Sequence, residues 1–307
     1  MTGKFAKWNA QSLGDKIFDI MNFIILAFVT IICVYPLYYI LVVSFSSTPY
    51  GAWLVPNGFS LEGYKLVLGD NEIWRSYLNT IYYAFGGVVF SLCLTVPCAY
   101  ALSRKDLPGK KIFTGYLLVT MFISGGMIPT YLVVQRLHLL DTWFIIIIMT
   151  GVSTYNIIVA RTFFATTIPD ELLEASRIDG CGNGTFMMKV VLPLSKPILA
   201  VLALWIGVAR WNSYYSELIY LRDKHKYPLS MYLRKVLWQI ESLMELMEGS
   251  GKDGAGVVIT QDMIEQARLS SIMQYVVIVV SMVPVLIIYP FIQKYFAQGV
   301  MIGSVKG

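Results

Sequence analysis

Apolar residues in this chain run on in six long stretches, at about 17–44, 77–103, 112–136, 142–161, 195–220 and 271–293. Each is long enough to cross about 30 Å of hydrocarbon, which takes roughly 20 helical residues. Several carry helix punctuation: Pro36 in the first, Gly86, Gly87 and Pro97 in the second, Gly125, Gly126 and Pro129 in the third, Pro284 and Pro290 in the sixth. Such breaks are tolerated where neighbouring helices satisfy the freed backbone groups. The pattern predicts an all-α integral membrane protein, a packed bundle of six transmembrane helices enclosing a pathway.

The polar segments set the expected orientation. The N-terminal segment 1–16 carries Lys4, Lys7 and Lys16, the second short loop carries Arg104, Lys105, Lys110 and Lys111, and the 162–196 loop adds Arg177, Lys189 and Lys196. The 45–76 loop has only Lys65 and Arg75 against Glu62, Asp70 and Glu72. Basic short loops stay in the cytoplasm, so both termini are expected inside, with 294–307 as a cytoplasmic tail beyond a permeation domain at 17–293. The start of the chain does not read as a cleavable signal, because its apolar run is too long and no small-residue cleavage site follows. The 221–269 loop falls outside by parity. Within it Leu229, Leu233, Leu237, Ile240, Met244 and Met247 recur at three- and four-residue steps, which predicts an amphipathic helix on the outer face, either a cap on the bundle or a docking surface.

Composition narrows the class. The chain is 56% hydrophobic and 14% charged, against about 25% charged in a soluble domain. That excludes most soluble enzymes and any disordered or fibrous chain. The net charge of +5 fits cytoplasmic anchoring, since no basic run with interleaved aromatics marks a nucleic-acid site. Cys33, Cys93 and Cys98 lie in apolar runs, Cys181 lies in a polar loop, and His138 and His225 are isolated, so no metal site is expected. The second, third, fourth and sixth stretches hold essentially no charged residue in their interiors, which disfavours an ion-coupled carrier and leaves no constellation for intramembrane hydrolysis. Gly249-Ser250-Gly251-Lys252 imitates the end of a phosphate-binding loop, but Leu246 and Asp253 stand where glycine and Ser or Thr are needed. It reads as a flexible connector.

The informative polar segment is 168–197. Pro169 suits a first helical position, Asp170 and Glu171 complement a positive helix start, and Gly180 sits where a left-handed C-terminal residue is wanted. A second short helix is expected over Thr185–Val191, before Pro193 and Pro197 launch the fifth stretch. Two short helices around a glycine elbow would form a cytoplasmic knob.

Glu174-Ala175-Ser176, Gly180 and Val190-Val191-Leu192-Pro193 resemble the E-A-A-x-x-x-G-x₉-I-x-L-P loop of ABC importer permeases, with Ser176 for the second Ala and Val190 for Ile. Asp179-Gly180, Trp211-Asn212 and the ending Lys294–Gly307 look like the carbohydrate-uptake members, the smaller maltose-type partner of a heterodimeric pair. The tail and Gly125-Gly126-Met127-Ile128-Pro129 look closest to the oligosaccharide and polysaccharide branch. The resemblance implies a type I importer fold in a bacterial cytoplasmic membrane, with a second homologous permease and an extracytoplasmic solute-binding protein as partners. It also implies two ATPase subunits that carry the ATP and Mg, this chain holding no cofactor and catalysing nothing. By the same resemblance Glu174, Ala175, Ser176, Asp179, Gly180, Leu192 and Pro193 couple to the ATPases, and the tail at Gln298, Gly299, Met301, Gly303 and Lys306 touches them. A sugar offers hydroxyls and flat C–H faces, so Tyr155, Asn156, Arg210, Trp211, Asn212 and Tyr215 are candidates for its path, with Trp211 and Tyr215 placed on one helix face and an outer aromatic belt with a snorkelling arginine as the alternative. An ion-coupled carrier and a membrane enzyme acting on lipid-linked sugar are the competing classes. Asp170, Glu171 and Glu174 are the nearest acidic cluster for the latter, and helix-start chemistry accounts for them.

Overall fold

Long apolar runs become long helices because a helix satisfies its own backbone hydrogen bonds and needs none from the solvent. The structure, a computed structural model, describes residues 12–49, 51, 54–252 and 261–300. Helix α1 (Leu13–Ser44) begins where the Asp15 N–H donates to Ser12 Oγ at 3.2 Å, and it continues past Pro36. α2 (Glu62–Gly69) is short. α3 (Asn71–Ser103) is capped by Asp70, which accepts from the Glu72 N–H at 2.8 Å, and runs unbroken through Gly86, Gly87 and Pro97. α4 (Lys110–Phe122) and α5 (Met127–Arg136) follow, then α6 (Trp143–Ile148), α7 (Thr154–Thr167), α8 (Asp170–Ile178) and the helical run α9 (Asn183–Leu194), which contains a π turn at Met187–Val191. α10 (Lys196–Trp211) and α11 (Tyr215–Tyr220) lead to a 3₁₀ turn at Lys224–Lys226 and to the last two helices, α12 (Leu229–Lys252) and α13 (Gln261–Val300). Extended pairing among the described residues is confined to one isolated bridge, Ser46 with Phe59.

Three helices among the described residues are long and apolar enough to cross a membrane: Leu13–Ser44, Asn71–Ser103 and Ile264–Pro290 within α13. Two bent pairs raise the number to five if each counts once: α4 with α5 at 110°, and α9 with α10 at 81°. The stretch expected as a fourth span, 142–161, is instead split into α6 and α7. Its tight turn carries the Gly151 N–H to the Ile148 carbonyl at 2.8 Å, and Ser153 then restarts the helix as a cap. The expected third span bends because Gly126, at φ +81°, stands in a backbone region closed to most residues. Two other boundaries differ. Gly249–Lys252 continues α12 rather than forming a connector, and α13 extends through 294–300, residues expected to be tail.

The chain divides into two compact units, residues 1–69 with 236–280, and residues 70–235 with 281–307. In the first, Phe45 stacks on Phe59 and Tyr64 at centroid distances of 5.9 and 5.0 Å, and Gly63 lets α2 approach Ile272 and Val276. Arg268 ties the unit together by pairing with Glu62 and Glu265 and donating to the Ser47 carbonyl. Most of α1 exposes its Leu, Ile and Phe side chains, as a lipid-facing helix would.

The second unit is built on α3, against which α6, α7 and α10 pack. Its main core joins Ala99, Leu102, Ile157, Ala160, Phe164, Phe186 and Leu202, and a second cluster joins Tyr83, Ile145, Ile146 and Tyr220. The N-terminal turns of α3 grip the 225–235 segment. Asn79 Nδ2 donates to the carbonyls of His225 and Tyr227 at 2.8 and 2.9 Å, Tyr83 donates to Lys226 O at 3.0 Å, and Tyr232 donates to Asp70 at 2.7 Å. Lys235 also pairs with Glu72.

Small residues make these close helix contacts possible. At Gly151 a Cβ would lie 2.9 Å from the Phe90 ring and 3.0 Å from the Ile148 carbonyl, whereas at Gly207 it would meet only Val88 at an ordinary 3.5 Å. Gly151→Val is therefore expected to cost about 1–3 kcal/mol by overpacking and to lower the thermal midpoint of the solubilised protein. Gly207→Ala should leave that midpoint in place, and equal midpoints for the two variants would contradict the packing described.

Candidate functional site

The knob expected from the sequence is present as α8, an elbow and α9. α8 starts one residue later than expected, with Pro169 as its cap in extended conformation. It ends in a Schellman turn: the Gly180 N–H donates to Arg177 O at 3.0 Å and the Cys181 N–H to Ser176 O at 2.8 Å. Gly180 itself is left-handed, at φ +73°, with open space where a Cβ would point. One leucine, Leu173, fixes α8 to the main core, which also holds Phe186 and Val191 from the next segment. Leu192 packs at the edge of that core, and Pro193 is exposed. The opposite face of α8 is open: Leu172, Glu174, Ala175, Asp179 and Ile178 are all exposed, Ile178 at 86%. Ser176 is half-buried and bonds its own helix at Leu173 O.

Charge surrounds the ends of α8. Lys105 Nζ lies 2.7 Å and Arg104 3.6 Å from the Asp170 carboxylate, and Arg177 pairs with Asp106. The Lys105 hydrogen bond holds the Asp170 carboxyl below its ordinary range, and Arg177 does the same for Asp106. Lys105 is shifted upward in return by Asp170.

The candidates for a solute path fall into two groups. Tyr155 and Asn156 stand in the first turn of α7, where the Asn156 N–H donates to the Ser153 cap. Asn156 is buried, and Tyr155 is exposed with its ring 5.9 Å from Trp205. Arg210, Trp211 and Asn212 close α10, with Asn212 as an exposed cap. Tyr215 opens α11 and donates to Met127 Sδ at 3.0 Å. Trp211 and Tyr215 therefore do not share a helix face as expected, because the helix ends between them.

Arg210 does not snorkel to the surface. Its guanidinium is 2.9 Å from Glu217, whose side chain is 1% exposed, and Ser213 Oγ donates to the other carboxylate oxygen at 2.9 Å. The Arg210 Nε is buried and lacks a partner. Trp211 donates its indole N–H to the Ser281 carbonyl at 3.2 Å and meets Tyr77 edge-on. Its ring lines an apolar cavity of about 430 Å³ shared with Phe85, Val88, Leu204, Gly207 and Ile288, a place for hydrocarbon rather than hydroxyls. Sequence reasoning missed Glu217 and Ser213. The signal was there: a carboxylate seven residues after a lone arginine inside an apolar stretch, with a serine between. The tail candidates Met301, Gly303 and Lys306 lie outside the described residues, and for Gln298 and Gly299 the structure describes only the helical backbone of α13.

No protein-family model matches the chain. It is 36% identical over 300 residues to the polygalacturonan/rhamnogalacturonan transport system permease protein YtcP of Bacillus subtilis (strain 168), covering 96% of this chain and 100% of that one. Protein LplC of the same organism is 36% identical over 298 residues, covering 96% of each. A chain in the crystal structure of a bacterial ABC transporter involved in the import of the acidic polysaccharide alginate superposes with a TM-score of 0.80 and 34% identity, over 93% of this chain and 99% of that one. Fold and loop together thus define a membrane-embedded permease, a transport subunit rather than an enzyme. The chain belongs to the family of sugar ABC importer permeases. Membership implies, in general terms, a partner permease, ATPase subunits and a substrate-binding protein.

Removing one member of a buried ion pair leaves the other charge uncompensated, at a cost of about 3–5 kcal/mol, whereas an apolar pair of similar volume is close to neutral. Glu217→Ala should accordingly destabilise the solubilised protein sharply, and Arg210→Met with Glu217→Leu should recover most of the lost thermal midpoint. Similar midpoints for the single and double variants would contradict the pairing.

Proposed function

We propose that this chain is one of two homologous permeases in an importer for oligosaccharides released from polysaccharides. Support for the substrate class comes from relatives named for polygalacturonan, rhamnogalacturonan and alginate. In this reading the chain crosses the cytoplasmic membrane six times with both termini inside. α1, α3 and α13 cross as single helices; α4 with α5, α6 with α7, and α10 with α11 cross as broken pairs. The basic segment at 104–111 supports that orientation. Two ATPase subunits bind ATP and Mg and dock on the knob, with the 298–307 tail beside them, and a solute-binding protein delivers sugar from outside.

The observation that carries the reading is the open face of α8. A nine-residue helix fixed by one buried leucine and presenting Leu172, Glu174 and Ile178 outward is shaped to lie in a groove on another subunit. Seated there, it moves as a rigid body when the ATPases close. Gly180 keeps the elbow in a backbone region that costs a branched residue about 1–3 kcal/mol. We place the sugar between the amide and aromatic groups of Tyr155, Asn156, Asn212 and Tyr215, with Arg210 held beside them by Glu217 and Trp211 as a wall.

The test is a reconstituted importer, with its ATPases and binding protein, presented with trigalacturonate. Gly180→Val and Glu174→Lys should insert normally and lose sugar-stimulated ATP hydrolysis, while Gly180→Asn, tolerant of the left-handed region, keeps most of it. Full stimulation in both disruptive variants would sink the coupling role. Uptake should persist with a protonophore and vanish without the ATPases; the opposite result would favour an ion-coupled carrier. Asn212→Ala should lower the rate of uptake, and unaltered uptake kinetics would remove it from the path.

A further inference from the structure

The ion pairs around α8 are arranged in a way that neither membership of the family nor the knob itself requires. Asp170 is the first residue of α8 and Arg177 is the last but one. They lie seven residues apart, about 10 Å along the axis at 1.5 Å per residue. Three consecutive residues immediately after α3 reach both ends: Arg104 and Lys105 hold Asp170, and Asp106 holds Arg177. Arg104 also lies 3.8 Å from Asp106, so the tripeptide is braced internally.

We infer that residues 104–106 form an ionic clasp that fixes the direction of α8 relative to the end of α3. A contact at one point would let α8 pivot about its buried leucine; contacts at both ends remove that freedom. The segment carrying the clasp is itself immobilised. Lys110 Nζ donates to the carbonyls of Ser103 and Arg104 at 3.3 and 3.0 Å, capping α3, and Arg161 Nε donates to Leu102 O at 3.2 Å. Leu107 packs on the main core. Tyr100, one turn before the clasp, has its ring 6.4 Å from Phe186 at the start of α9. A displacement of α8 therefore reaches α3 through charge at two points as well as through the apolar core.

Asp106 and Arg177 are each about half exposed. Exposed pairs add little to stability, so charge reversal at Asp106 or Arg177 is expected to leave the fold and insertion in place, and the role assigned to the two residues is positional. The positive charges at 104 and 105 also gain from facing the start of α8 only through Asp170, since a helix start is itself positive. That makes the carboxylate necessary to the contact rather than incidental.

This inference rests on the reading that α8 couples to the ATPases, and the experiment separates the two. In the reconstituted importer, with trigalacturonate and the binding protein, ATP hydrolysis is compared for Asp106→Arg, Arg177→Asp and the two combined, with co-purification of the ATPases as the measure of assembly. Each single reversal should lower stimulated hydrolysis roughly fivefold with assembly retained, and the double reversal should bring it back to within about twofold of the parent, the signature of a direct pair. Lys105→Glu, at the other end of α8, should act like the single reversals. Retained stimulation in the single variants, or failure of the double to recover, overturns the clasp. If the clasp fails while Gly180→Val still uncouples, α8 remains the coupling element. If Gly180→Val is also without effect, both readings fall.

Discussion

Inside a bilayer an unpaired backbone amide has no water to turn to, and each such group costs several kcal/mol. The helices of this chain follow from that constraint, and so do the places where they stop. Several of the breaks are resealed locally. Thr142 and Ser153 accept the first free N–H groups of α6 and α7, Lys110 takes the last carbonyls of α3, and the turn at Gly180 closes the end of α8. At these places the chain bends or turns while the backbone groups named here keep their partners.

The charged pair between α10 and α11 follows the same logic. Glu217 is buried and Arg210 nearly so, and they pair across the gap between α10 and α11 with help from Ser213. Ser230 donates to the Ser213 carbonyl at 2.6 Å, so the break between these helices is also tied to the start of α12. The pair is better understood as what ties α10 to α11 across the break than as a free cation awaiting an anion. The Nε of Arg210 is buried and still lacks a partner.

Much of this was legible in the sequence, and the failures have physical causes. The apolar runs located α1, α3 and α13 because hydropathy reports length well. It does not report continuity, so 142–161 was expected as one span although Gly151 and Ser153 divide it. Conversely, Gly86, Gly87 and Pro97 looked like punctuation, yet α3 passes through all three: the two glycines face Ile147 and Thr150, serving close packing rather than a bend. The knob was readable in detail, since Pro169, Asp170 and Gly180 are cap chemistry that acts over a few residues. Glu217 was not found because its partner lies seven residues away across a helix break, so the meeting depends on the turn between α10 and α11 and not on one helix face. The clasp at 104–106 joins residues more than sixty positions apart in sequence, and only the fold brings Arg177 to Asp106.

α3 has a mechanical consequence that follows from its length alone. It is 33 residues of continuous helix, with buried residues along its whole length, Arg104–Asp106 at one end and the 225–235 segment bonded to the other. At 1.5 Å per residue it is a lever of about 50 Å, so a tilt of about 5° about its middle carries the two ends through about 2 Å in opposite directions. Hydrogen bonds weaken steeply over such a distance. A turn that leaves the middle of α3 in place is therefore large enough to loosen the contacts at both of its ends at once.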